Sequence, residues 1–142
     1  MSLNVLIVDD SAVMRKVILK TLRLSGLALG ELHEAGNGQE GLSVIAKNWI
    51  DLVLVDINMP IMNGQEMIET LRANPATEGL PVIVVSTDAS ASRVDMMRKH
   101  GAQFVHKPFT AEELRDKVFA VMGASHDELV DERAVQGDGP DF

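Results

Sequence analysis

Short β-branched apolar runs alternate along the chain with longer stretches in which apolar residues recur at helical spacing. Val5-Leu6-Ile7-Val8, Leu52-Val53-Leu54-Val55 and Val82-Ile83-Val84-Val85 are continuous, the pattern of strands buried on both faces of a parallel sheet. Residues 31–35 and 103–106 are weaker strand candidates. The intervening stretches carry helical stripes: Met14, Val17, Ile18 and Leu22; Leu42, Ile45, Ala46 and Trp49; Gly64, Met67, Ile68 and Leu71; Leu114, Val118 and Val121. Residues 90–100 form the weakest helix, with only Val94 and Met97 on one face. Ser11 reads as a helix cap, and Asn37-x-x-Glu40, Asn63-x-x-Glu66 and Thr110-x-x-Glu113 read as capping boxes. Pro60, Pro75, Pro81 and Pro108 fall between elements.

Strand and helix thus alternate five times. That predicts an α/β fold: a five-stranded parallel sheet with right-handed crossovers and helices on both faces. The pattern fills residues 3–122 as one domain and ends near Met122-Gly123. Residues 123–142 read as an acidic tail or the start of a linker.

Composition narrows the chemistry. A 142-residue chain with no cysteine has no disulfide framework, thiol nucleophile or Cys-ligated metal. No apolar run approaches a membrane span and the N-terminus lacks signal-peptide features, so a cytoplasmic protein is expected. The net charge of −8 argues against direct nucleic-acid binding. Residues 127–142 carry a net −5, and the rest of the chain a net −3 that disappears once Asp9, Asp10 and Asp56 are set aside.

Those three acids stand where ligands bind in such sheets, beyond the carboxyl ends of the strands. Asp9 and Asp10 follow the first strand, Asp56 and Ser86 end the third and fourth, and Lys107 follows the fifth. Carboxylates after strands are often only caps or turn formers. Three converging on one spot would repel one another and need a cation, and oxygen donors without His or Cys favour Mg²⁺. With Lys107 and the Ser86 hydroxyl in reach, the constellation suits acceptance of a phosphoryl group, Asp56 being the natural nucleophile.

At Val8-Asp9-Asp10-Ser11, at the segment from Asp56 through Asn58, Met59, Pro60 and Asn63 to Gly64, at Ser86 and at Lys107-Pro108-Phe109, the chain resembles the CheY-like receiver domains of two-component response regulators. The resemblance implies a flavodoxin/CheY-like (βα)5 sheet of strand order 2-1-3-4-5. It implies that Asp56 takes a phosphoryl group from a sensor histidine kinase, with Mg²⁺ held by Asp9, Asp10, Asp56 and the main-chain carbonyl of Asn58. Lys107 would bind the phosphoryl group, Ser86 and Phe104 would form the switch, and the face made by helix four, strand five and helix five would signal onward. Asn58 and Asp88 would control dephosphorylation, and small polar groups there imply a short-lived phosphoryl state. Such a protein is a phosphoacceptor switch whose only chemistry is self-phosphorylation and autodephosphorylation. A stand-alone chemotaxis or motility regulator acting on a target such as a flagellar motor switch protein is the first expectation. A phosphorelay intermediate, or the receiver of a longer transcription regulator, is the alternative.

Three departures stand out. Phe104 replaces the usual Tyr, Thr87 is bulkier than the common Ala or Gly, and the turn at residues 101–104 is one residue short. Competing readings explain less. Gly36-Asn37-Gly38-Gln39-Glu40-Gly41 matches a dinucleotide-binding fingerprint, but Glu40 in the first helical turn would repel a pyrophosphate. An aspartyl phosphatase needs an acid two residues after its nucleophile, where this chain has Asn58. FMN binding conflicts with two carboxylates after strand one, and a metal-only module leaves Lys107 and Ser86 without a task. His33, His100, His106 and His126 have no ligand spacing, and Trp49 reads as a partly buried anchor.

Overall fold

In the computed structural model, residues 2–87 and 90–123 are described. Ten elements alternate: β1 (Leu3–Val8), α1 (Ala12–Leu24), β2 (Leu29–Ala35), α2 (Gly38–Lys47), β3 (Leu52–Val55), α3 (Gly64–Ala73), β4 (Val82–Ser86), α4 (Ala91–Lys99), β5 (Gln103–His106) and α5 (Ala111–Met122). All strands are parallel, in the order β2-β1-β3-β4-β5.

The continuous apolar strands have a direct explanation. Successive side chains alternate across the sheet, and each face has its own core. Leu3, Val5, Ile7, Leu52, Leu54, Ile83, Val85 and Val105 pack with Ile18, Leu19 and Leu22 of α1 and Leu114 and Val118 of α5. Leu6, Val8, Val53, Val55, Val82 and Val84 pack with Met67, Ile68 and Leu71 of α3 and Met97 of α4. Neither parity is free to be polar. Edge strand β2 is only half-buried and starts at Leu29, two residues earlier than its sequence signal.

Helix starts follow the caps. Ser11 accepts the Met14 N–H, and the Asn63–Glu66 and Thr110–Glu113 pairs form reciprocal boxes. Asn37 behaves differently from the expected box: its side-chain oxygen accepts the Glu40 N–H while its amide donates to the Glu40 carboxylate. Gly123, at φ 64°, closes α5 in the left-handed conformation that favours glycine.

Three stripe assignments need correction, one of them Ala46, which is exposed on α2. Val17 is exposed and Leu19 takes its place in the core, because the buried face of α1 is rotated by part of a turn. Trp49 lies beyond the end of α2 and is 77% exposed, its ring N–H donating to Asp51 Oδ1 at 2.8 Å. The Gly36–Gly41 spacing serves packing. A Cβ on Gly38 would lie 2.7 Å from Met62 Cγ and 2.9 Å from the Met62 carbonyl oxygen, and one on Gly41 would lie 2.9 Å from Met67 Cε. Asp88, His126 and the acidic tail beyond Gly123 lie outside the described residues.

Candidate functional site

Strand register assembles the crest. Val8 pairs with Val55, and the Asp56 N–H donates to the Val8 carbonyl at 2.9 Å, so Asp9 and Asp56 leave the sheet side by side. Ser86 pairs with His106, and the Lys107 N–H donates to the Ser86 carbonyl, bringing Lys107 to the same edge. Residues distant in sequence thereby meet.

One carboxylate oxygen from each of Asp9, Asp10 and Asp56 lies within 4.8 Å of the others. Lys107 Nζ stands 3.2 Å from Asp9 Oδ2 and 3.8 Å from Asp56 Oδ2. Asp9 is buried and Asp10 exposed, while the Asp56 side chain is 14% exposed. Asp9 Oδ1 accepts the Ser11 N–H at 2.9 Å, and Asp56 Oδ1 accepts the Ile57 N–H at 2.8 Å. Burial pushes the Asp56 carboxyl above its ordinary range. Lys107 pulls it back, the Asp9 charge pushes it up again, and the N–H groups of Ile57 and Asn58 lower it, leaving it raised. Burial, rather than the neighbouring acid, is thus what keeps the Asp56 carboxyl raised against Lys107. The donor set, all oxygen without imidazole or thiolate, fits a hard divalent cation such as Mg²⁺.

Ser86 and Phe104 occupy a second position. Phe104 pairs with Val84 and packs into the core on the α3 side, and Ser86, one pleat further along β4, is buried on the same parity. The Phe104 and His106 rings stand 6.4 Å apart. Asn58 is exposed on the loop after Asp56.

Two residues support the backbone of the site: Gly64, which the sequence reading placed in the motif without this role, and Arg15, which it did not name. Gly64 packs its Cα against the chain that carries Asp56: a Cβ there would overlap the Asp56 carbonyl oxygen and come 2.9 Å from Ile57 Cα. Arg15 Nη1 donates to the Asp9 carbonyl at 2.6 Å, and its Nε donates to Glu34 Oε1 at 2.9 Å. The signal was present. Arg15, Ile18, Leu19 and Leu22 share helical spacing, which places a cation on the stripe that faces the sheet.

A groove of about 860 Å³ lies away from this crest. Its lining includes Leu42, Ile45, Trp49, Ile50, Leu80 and Met122, at the end of the sheet where β3 and β4 begin.

A parallel (βα)5 sheet carrying an acidic cluster and a lysine at its carboxyl edge defines a phosphorylation-dependent switch module. Residues 5–119 match the response regulator receiver domain, and the chain belongs to that family. A CheY homolog described as a chemotaxis protein, from Campylobacter jejuni, is 34% identical over 128 residues, covering 89% of this chain and 97% of its own length. The chemotaxis protein CheY1 of Helicobacter pylori is 34% identical over 125 residues, 87% of this chain and 99% of its own. The structure of the chemotaxis response regulator CheY4 of Vibrio cholerae aligns at TM-score 0.75 with 30% identity, covering 85% of this chain and 99% of that one. The protein is thus a CheY-like receiver, a signalling switch of a class that binds Mg²⁺ in an acidic pocket and works with histidine kinases and downstream targets. Among the described residues no helix is long and apolar enough to cross a membrane.

Proposed function

We propose that residues 3–122 form a receiver that accepts a phosphoryl group on Asp56 from the phosphohistidine of a sensor histidine kinase. The observation that carries this reading is the meeting of Asp9, Asp10 and Asp56 within 4.8 Å, with Lys107 Nζ reaching two of them. An Asp56 carboxylate oxygen attacks phosphorus, the P–N bond breaks, and the electron pair and a proton remain with the leaving imidazole. The product is an acyl phosphate. Asp9, Asp10, Asp56 and the Asn58 carbonyl would hold Mg²⁺, which supplies charge compensation for the phosphoryl oxygens. Lys107 adds a second positive charge against those oxygens, and its present contact with Asp56 is the one the new group would take over.

Ser86 donates its hydroxyl to a phosphoryl oxygen, and Phe104, on the same sheet face, moves into the space this opens. The phosphoryl group shifts the balance between two states by its different contacts in each. The α4-β5-α5 face carries the result to a partner, and Phe104, lacking a phenol hydroxyl, offers that partner an apolar edge. Asn58 and Asp88 control how quickly water reaches the acyl phosphate. The likeness to chemotaxis proteins along nearly their whole length supports a cytoplasmic, stand-alone regulator of chemotaxis or motility, with a flagellar motor switch protein as the type of target.

Incubation with Mg²⁺ and acetyl phosphate or phosphoramidate, followed by intact-mass measurement, tests the reading. The expected result is a gain of one phosphoryl group that disappears in Asp56→Asn. Absence of any gain, or an undiminished gain in the variant, overturns it.

A further inference from the structure

Arg15 is the one cation of α1 aimed at the crest's own backbone. Its side chain is only 19% exposed, and its guanidinium is used at two places. Nη1 donates to the main-chain carbonyl of Asp9 at 2.6 Å, and Nε donates to Glu34 Oε1 of β2 at 2.9 Å. Lys16 Nζ takes the other Glu34 oxygen at 3.1 Å, so both oxygens of the anchoring carboxylate are engaged. Burial raises the Glu34 carboxyl, yet the hydrogen bonds and charges of Arg15 and Lys16 outweigh it and leave the group lowered, as expected of a persistently ionised anchor.

The Asp9 carbonyl belongs to the planar peptide that joins Asp9 to Asp10. Whatever fixes that plane fixes the direction in which Asp10 leaves the chain. The Asp9 side chain has its own restraints in the Ser11 N–H and Lys107, and its N–H is tied to the Ala35 carbonyl at 3.0 Å. Asp10 is the exposed member of the cluster, and it follows that peptide directly.

We propose that Arg15 is a positioning residue for the cation site: braced by Glu34, it holds the Asp9–Asp10 peptide so that both carboxylates face one ion. The inference rests on reading the acidic cluster as a Mg²⁺ site. It opposes the simplest electrostatic expectation, which makes it testable by sign. A guanidinium near the cluster repels a divalent cation, so charge alone predicts tighter Mg²⁺ binding when Arg15 is neutralised. Positioning predicts weaker binding, because support for directly coordinating groups commonly accounts for about 10–100-fold in metal affinity.

The experiment is Mg²⁺ titration calorimetry of the full, unphosphorylated chain, paired with the Mg²⁺-dependent rise of the thermal midpoint. Arg15→Met should raise the Mg²⁺ dissociation constant about tenfold. Arg15→Lys keeps the charge but has one ammonium in place of the fork that spans carbonyl and carboxylate, so it should also bind more weakly, by a smaller factor. Should Arg15→Met fail to fold, Arg15→Lys carries the test, since charge alone predicts no change for it. Tighter or unchanged Mg²⁺ binding in the folded variants, with or without a lower metal-free midpoint, overturns the positioning role. A wild-type chain that shows no Mg²⁺ response overturns the cation-site reading itself.

Discussion

At the scale of single residues, Asp56 carries an energetic conflict that its proposed role requires. Its carboxylate is removed from water beside a second carboxylate, and Lys107 at 3.8 Å, though it outweighs the Asp9 repulsion, does not make up for the burial. A group whose folded-state affinity for a proton is raised binds more protons folded than unfolded. Stability of the metal-free protein is therefore lost as pH rises from the ordinary carboxylate value of 3.8 through the higher folded value. Asp56→Asn removes the charge and should abolish this slope. In chelator at neutral pH it is expected to be more stable than wild type, because folding then no longer takes this charge out of water. Urea unfolding of both proteins at acid and neutral pH measures it, and an Asn variant less stable at neutral pH would contradict the account. The acids and Ser86 were legible because each stands just past an apolar run, and Lys107 because it follows the weaker strand signal at residues 103–106. Gly64 was legible only as part of a motif and a helical stripe, and the spacing of Arg15 placed it on the buried stripe of α1 without showing what it touches, since its contact with the Asp9 carbonyl depends on tertiary distances.

At the scale of elements, legibility followed burial. The α3 stripe of Gly64, Met67, Ile68 and Leu71 is buried throughout, and its sequence pattern named the packed face correctly. The proposed α2 stripe failed at its end because Asn48 terminates the helix and leaves Trp49 on the rim of the groove. An apolar residue at the right spacing is no guide once the helix has stopped. The capping amides and the edge strand β2 explain the smaller misses: one Asn–Glu pair meets side chain to side chain, and a half-buried strand shows weak patterning. The contrast has a measurable consequence. Leu71→Ala opens a cavity in the α3-side core and should cost about 2–5 kcal/mol. Trp49→Ala, despite losing the larger side chain, should change stability by no more than about 0.5 kcal/mol, because that side chain is mostly in water. Denaturant midpoints of the two variants decide whether Trp49 is an anchor or a surface residue.

At the scale of the whole molecule, the net charge of −8 separates into two parts with different physics. The sheet register brings Asp56 to Asp9 and Asp10, so the repulsion between Asp56 and that pair is a property of the folded state alone. A cation that binds them binds the native protein and not the unfolded chain, and must stabilise it. At a Mg²⁺ concentration one hundred times the dissociation constant, that stabilisation is about 2.7 kcal/mol. The other net −5 belongs to residues 127–142, and the matched receiver region ends before them, at residue 119. At physiological salt, exposed charges more than a Debye length of about 8 Å apart are largely screened from one another. Removing residues 124–142 should therefore leave the Mg²⁺ dissociation constant within about twofold of the full chain at that ionic strength. Asp9→Asn should remove most of the Mg²⁺-dependent rise in midpoint, even though that variant keeps the tail and loses a single charge. If instead truncation abolished the Mg²⁺ response and Asp9→Asn preserved it, the ion would be responding to total charge, and the crest would lose its claim to be a site.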